Sequence, residues 1–213
     1  MNKIEEIYQN IKENNQEIDE RIHILFQVLK EKEFQEVTDG RFSLLFIMKL
    51  IKAMISDDAV IRILNEIEIL ENKTNQVSST KPESKFRRGK TRGLWHKHYL
   101  PTGLKSIAIN LETQFEYKYK EIMGEINQIL LTDLSDEKKS REISGLVVTK
   151  QLSDRFREKR ITGEWIIYHV HNNQKYYLDI ASHEDNEDII VSNIRDMVLK
   201  EFPEFQNSLP IFS

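Results

Sequence analysis

A chain of 213 residues, 39% hydrophobic and 31% charged, has enough apolar side chains for one large or two small folded domains, which excludes a disordered, highly charged tail. It contains no cysteine, so disulfide staples, thiolate zinc sites and thiol nucleophiles are excluded, and a reducing, cytoplasmic setting is expected. The formal net charge of −4 hides an uneven distribution: residues 84–110 hold no acid, while Lys85, Arg87, Arg88, Lys90, Arg92, Lys97 and Lys105 place seven positive charges there.

The N-terminus is acidic and helical in character, not basic and then apolar, so a secretory signal is not expected. The most apolar stretch, 42–55, is interrupted by Lys49 and Lys52 and is too short to span a bilayer, so no membrane role is expected. Over residues 2–34, Ile4, Ile7, Ile11, Ile18, Ile22, Leu25 and Leu29 recur at steps of three, four or seven, which predicts a long amphipathic helix. Asn14 and Asn15 fall in the gap of that stripe. Two readings stay open, a coiled-coil seam whose polar residues set register, or an intramolecular helical hairpin. Thr38-Asp39-Gly40 is turn chemistry. Helices are predicted over 42–55 and 58–71, the second capped by Ser56 or Asp57.

Residues 72–92 lack periodicity and read as an exposed connector, giving a helical region 1–75, a basic connector 76–92 and an α+β domain 93–213. Residues 101–131 read as helix with a break near 112–114, and a short helix or loop starts at 135–137. Strand texture follows: 145–149 is one candidate, and 164–171 with 174–180 flank Asn172-Asn173 as a β-hairpin. On alternation, Trp165, Ile167, His169 and His171 share a face with Tyr176, Leu178 and Ile180. A closing helix over 187–202, with Ile190, Ile194, Met197 and Val198, is predicted to cover that face until Pro203 ends it. The fold class is therefore α+β, a helical N-terminal half followed by a small antiparallel sheet packed with helices.

Chemistry concentrates in residues 85–99, where cations, glycines, histidines and aromatic rings alternate. Cations neutralise phosphates, rings stack on bases and imidazoles move protons near neutral pH, so Arg87, Arg88, Lys90, Arg92, Lys97, Trp95, Tyr99 and Arg160 are the candidate nucleic-acid-binding residues. The competing reading is a solvated basic linker followed by a strand that buries Trp95 and Tyr99. His96, His98, His171 and His183 are the proton-transfer candidates. Two imidazoles and a phosphate-holding arginine would suit metal-free RNA cleavage by the ribose 2′-hydroxyl. Two His-x-His pairs near His183 and Asp185 also allow a metal reading, which ranks lower because the nearby carboxylates look like the solvated start of a helix. No cofactor is expected, His23 reads as a helix-surface residue, and Arg155 as a cation at a helix end. Phosphate-loop, dinucleotide-fingerprint, HExxH and GxSxG motifs are absent.

Lys81-Pro82, the run Gly93-Leu94-Trp95-His96-Lys97-His98-Tyr99 and the hairpin from Gly163 to Leu178 together resemble a group of uncharacterised bacterial proteins that pair a GLWHKHY-like segment with a GEWIIY…YYL-like hairpin. The resemblance covers residues 80–203 and implies no function. More loosely, the layout resembles bacterial ribonuclease toxins of the RelE, barnase and colicin type. That likeness implies a metal-independent endoribonuclease with a toxin or mobile-element defence role, acting on RNA before DNA. The N-terminal helices would then dock a protein partner or a second copy. The alternative is a non-enzymatic nucleic-acid-binding or protein-interaction module of the antitoxin or complex-assembly kind.

Overall fold

The computed structural model describes residues 2–56 and 58–212. The apolar stripe at the N-terminus forms two helices, α1 (Lys3–Asn14) and α2 (Glu20–Glu31). The break follows from the two asparagines: the Asn14 and Asn15 side-chain amides donate back to the carbonyls of Asn10 and Ile11, both at 2.8 Å, and end the helix. Asn2 with Glu5 forms a capping box for α1, and Asp19 caps α2. Tyr8 stacks on Phe26 at 4.7 Å and its hydroxyl bonds to His23 Nδ1, so α1 and α2 pack as an intramolecular hairpin. His23 thereby ties the two helices together, a role its surface position did not suggest.

Three more helices follow, α3 (Phe34–Thr38), α4 (Leu44–Ile55) and α5 (Val60–Leu70). Ser43 caps α4 by accepting from the Phe46 N–H at 3.0 Å and donates to the Leu178 carbonyl at 2.7 Å, which pins α4 to the sheet. The cap expected for α5 is not Ser56, which ends α4 instead; Asp57 lies outside the described residues, and Ala59 precedes the helix without a side-chain cap.

The sheet has four antiparallel strands in the order β1 (Ser84–Lys85), β2 (Trp95–Tyr99), β3 (Glu164–His171) and β4 (Gln174–Ala181). Asn172 and Asn173 turn the β3–β4 hairpin with φ of 49° and 62°, the left-handed backbone that a two-residue turn requires and asparagine tolerates. Between β2 and β3 the chain makes a helical excursion, α6 (Leu104–Leu130), α7 (Asp136–Ser144), a π-helical stretch Gly145–Lys150 and α8 (Gln151–Arg157). The strand expected at 145–149 is thus helical. Its β-branched residues are outweighed by helix on either side and by burial of Leu146 in a segment that packs on α6. The break in α6 falls at Lys118, not at 112–114.

After β4 come α9 (Glu187–Asn193), a π-helical turn Ile194–Val198 and α10 (Leu199–Glu201), which together fill the closing helix expected over 187–202. Trp165, Ile167, Tyr176 and Leu178 do share one face and pack with Ile190, Ile194 and Phe205. Ile180 departs from the alternation. Ile167 pairs with Asp179 and Tyr168 with Tyr177, so Leu178 has no counterpart, and this bulge turns Ile180 to the other face beside Ile166, Tyr168 and Tyr177. That second face is covered by α1 to α5, whose Phe34, Phe46, Leu50, Ile63 and Ile67 belong to the same cluster as the strand residues. Residues 76–92 therefore divide no two cores: Thr80 bridges to Ile161, and β1 pairs with β2.

Candidate functional site

Residues 86–94 form the loop between β1 and β2. Phe86 donates to the Leu94 carbonyl and accepts from the Gly93 N–H, both at 2.9 Å, which closes the loop at its base. At Gly93 (φ 93°) a Cβ would meet the Pro210 ring at 2.5 Å, so only glycine lets the loop lie on the C-terminal segment. The tip is fixed by α9: the Glu187 carboxylate accepts from the Lys90 N–H at 2.5 Å and the Thr91 N–H at 3.4 Å, and the Lys90 ammonium pairs with Asp188. Arg87, Arg88 and Arg92 are left exposed, and among the described residues none of the three has a salt-bridge partner. A groove of about 990 Å³ runs between loop and α9, lined by Lys90, Arg92, Arg195 and Asp188.

Strand alternation takes two other candidates out of solvent. β2 directs Trp95, Lys97 and Tyr99 toward the helical layer. Lys97 is 3% exposed, and its ammonium pairs with Glu66 at 3.1 Å and donates to Ser78, Thr80 and the Lys81 carbonyl, so it is a buried structural ion and not a phosphate contact. Tyr99 is buried with its hydroxyl donating to Asp58 at 3.3 Å, and burial pushes its pKa up, which removes it as a stacking platform. Trp95 is half-buried against Tyr168, centroids 6.2 Å apart, with the Lys85 ammonium 5.3 Å over its ring. Arg160 lies over Tyr117 at 4.0 Å and pairs with Glu158 at 3.3 Å.

His96 and His98 stand opposite Ile167 and Trp165 on the other face of β2. His98 Nδ1 and His183 Nε2 both approach the Gly163 carbonyl oxygen, at 2.7 and 2.8 Å. A carbonyl only accepts, so both nitrogens carry hydrogen, and the longer 3.4 Å approach of the Gly163 N–H to the same His98 nitrogen is not a donation. The two rings stack 5.6 Å apart at 15°, and Trp165 closes on His183 at 4.2 Å. Gly163 is obligatory here, because a Cβ would sit 1.8 Å from the Tyr99 carbonyl oxygen. Burial pushes both His96 and His98 down to about 4, so both are neutral at pH 7.

His171 does not join them. It lies six residues along β3 from Trp165, roughly 20 Å at the strand rise, beside His169 and Phe205. Of the four proton-transfer candidates, His98 and His183 therefore come together while His171 stands apart, because a shared strand face implies a common side and no common place along it. Among the described residues no three His, Asp or Glu side chains converge as metal ligands. Among the described residues, the cavity at His183, about 600 Å³, is lined by Asp58, Glu164 and Glu184 with Lys105 as its one Lys or Arg side chain, which is the wrong balance for a phosphate.

One cation read from the sequence as a helix-end charge does lie in the last turn of α8, but it is buried. Arg155 is 1% exposed, its Nε donates to Asn110 at 3.1 Å and one terminal nitrogen to the Arg160 carbonyl at 2.6 Å and Thr162 at 3.3 Å, while the other terminal nitrogen has no partner. The signal was present: Ser106, Asn110 and Gln114 recur every fourth residue of α6 and are all buried, facing Gln151 and Arg155 of α8. No helix among the described residues is long and apolar enough to cross a membrane. No family model, no curated protein and no solved structure matches this chain.

Proposed function

We propose that the protein binds nucleic acid, RNA foremost, through the β1–β2 loop. The observation that carries this reading is the exposure of Arg87, Arg88 and Arg92 on one loop whose backbone is already held by the Glu187 carboxylate. A guanidinium presents a planar fork that suits phosphate oxygens, and a pre-ordered loop loses little entropy on binding. Each phosphate neutralised releases condensed counterions, so affinity should be steeply salt-dependent. His96 and His98 would serve this function indirectly, as neutral wedges that hold β2 on β3.

A second reading, a metal-independent endoribonuclease of toxin or defence type in the cytoplasm, is favoured by the meeting of His98 and His183 beside a cavity. It asks exposed His183 to move the proton, with no arginine lining the cavity to hold the phosphate. The test is titration of labelled single-stranded and duplex RNA and DNA at several salt concentrations, with parallel incubation of total RNA with and without EDTA. Salt-dependent binding with intact RNA is expected. No binding at low salt would overturn the first reading, and discrete RNA fragments in EDTA would establish the second.

A further inference from the structure

The β1–β2 loop borders a concave surface that phosphate contacts alone do not use. The groove between the loop and α9 measures about 990 Å³, the upper end of the range of about 300–1,000 Å³ over which pockets take small organic ligands. α9 contributes Ile189, which is 57% exposed, and the C-terminal segment contributes Pro210 and Ile211. From the loop, Gly89 and Gly93 line the groove with backbone only, at φ of 77° and 93°, and a backbone without side chains lets a ligand approach closely.

Arg92 belongs to both places. It is one of the exposed loop arginines, and it also lines the groove. A phosphate held by its guanidinium therefore brings the attached sugar and base to the groove. Phosphates by themselves would leave Ile189, Pro210 and Ile211 uncovered, because a strongly hydrated anion gains nothing from an apolar wall. A nucleobase differs: it is uncharged and flat, apolar side chains pack on its faces, and its polar edge can stay toward water. Asp188 lines the groove as well, but the Lys90 ammonium matches its charge, so a neutral base meets little net charge from the pair.

The form of the nucleic acid follows from the concavity. In a duplex each base is paired and stacked, so bringing one into the groove means breaking both arrangements. A single strand offers its bases at far lower cost. We propose, resting on the loop as the phosphate contact, that its ligand is single-stranded nucleic acid, with phosphates on Arg87, Arg88 and Arg92 and one base in the groove against Ile189, Pro210 and Ile211.

The experiment is fluorescence-anisotropy titration of the full chain at several salt concentrations with four labelled probes. Oligouridylate and oligoadenylate are the single strands, their annealed duplex is the third probe, and an abasic strand with the same number of phosphates is the fourth. At least one single strand should bind at least about fivefold more tightly than the abasic strand and the duplex, the lower end of what stacking one base is worth. The abasic strand should keep the salt dependence, because it keeps the phosphates. Ile189→Ala, at an exposed position, should remove most of the single strand's advantage and leave abasic binding unchanged; the wild-type comparison carries the test should the variant not fold. Equal binding of base-bearing and abasic strands, or tighter binding of the duplex, would overturn this proposal while leaving the loop as the phosphate contact. So would a base-dependent advantage indifferent to Ile189→Ala. No salt-dependent binding of any probe would overturn the loop reading and this proposal with it.

Discussion

His98 and His183 donate to one acceptor, the carbonyl oxygen of Gly163, at 2.7 and 2.8 Å. The shared oxygen ties β2, the first residue before β3 and the segment after β4 at one point. Both imidazoles spend a hydrogen on it, which orients their remaining nitrogens but commits the rings to the fold.

His98 is 5% exposed, so His98→Ala should remove a buried hydrogen bond and leave a cavity, lowering stability by about 2–4 kcal/mol in urea denaturation. His183 is exposed, and His183→Ala should cost under about 1.5 kcal/mol. Equal and small losses for both would show that the shared acceptor does not organise the strands.

Acid should destabilise the protein through its buried imidazoles. His96, His98 and His169 are each pushed down to about 4 by burial, from 6.5. Between pH 6.5 and 4 the unfolded chain binds protons that the folded chain refuses, so their contribution is complete above pH 6.5 and is lost as pH falls toward 4. The midpoint of urea denaturation should fall over that window, and the fall should be shallower in His169→Gln.

Asp179 works in the opposite sense. Its carboxyl is 0% exposed and pushed up to about 6 by burial, with Lys49 at 3.5 Å offsetting only part of the cost. The folded state therefore holds a proton that the unfolded state has released, and stability contributed below pH 3.8 is lost as pH rises through 6, by about 3 kcal/mol for a shift of this size. Asp179→Asn should remove that loss, so the difference in stability between variant and wild type should move in the variant's favour from pH 4 to pH 8. A difference independent of pH would show that the carboxyl does not titrate in this range.

Much of this was readable beforehand, and the failures have specific causes. The hairpin was legible because Asn172-Asn173 supplies the turn and the flanking residues alternate. The bulge at Leu178 was not, since nothing in the residue pattern marks where a strand gains an unpaired residue. The burial of Lys97 was half legible: it alternates with Trp95 and Tyr99, which placed it on an aromatic face, but Glu66 comes from a helix whose position depends on tertiary packing. Exposure of Arg87, Arg88 and Arg92 followed from composition, whereas the anchoring of their loop by Glu187 depends on a contact about a hundred residues away in the chain.

Lys97 also separates structural from binding charge. Lys97→Met leaves Glu66 buried without its partner and should lower stability by about 3–5 kcal/mol, while nucleic-acid affinity of the folded fraction should hold. A stable variant with reduced affinity would return Lys97 to the binding surface.

The loop arginines should behave in the reverse way. Arg87, Arg88 and Arg92 are exposed and without salt-bridge partners among the described residues, so replacing all three by alanine should leave the melting temperature nearly unchanged. If each faces one phosphate of a single strand, the slope of log affinity against log salt should flatten by roughly 2, at about 0.7 per contact. Lys90 offers an internal comparison. Its charge is already matched by Asp188, so Lys90→Ala should shift the slope by much less than any one arginine, unless nucleic acid displaces Asp188. Asp188→Asn distinguishes these cases: it frees Lys90, and should strengthen binding and steepen the slope by under about 1. Binding by the triple variant with an unchanged slope would place the phosphate contacts elsewhere on the molecule.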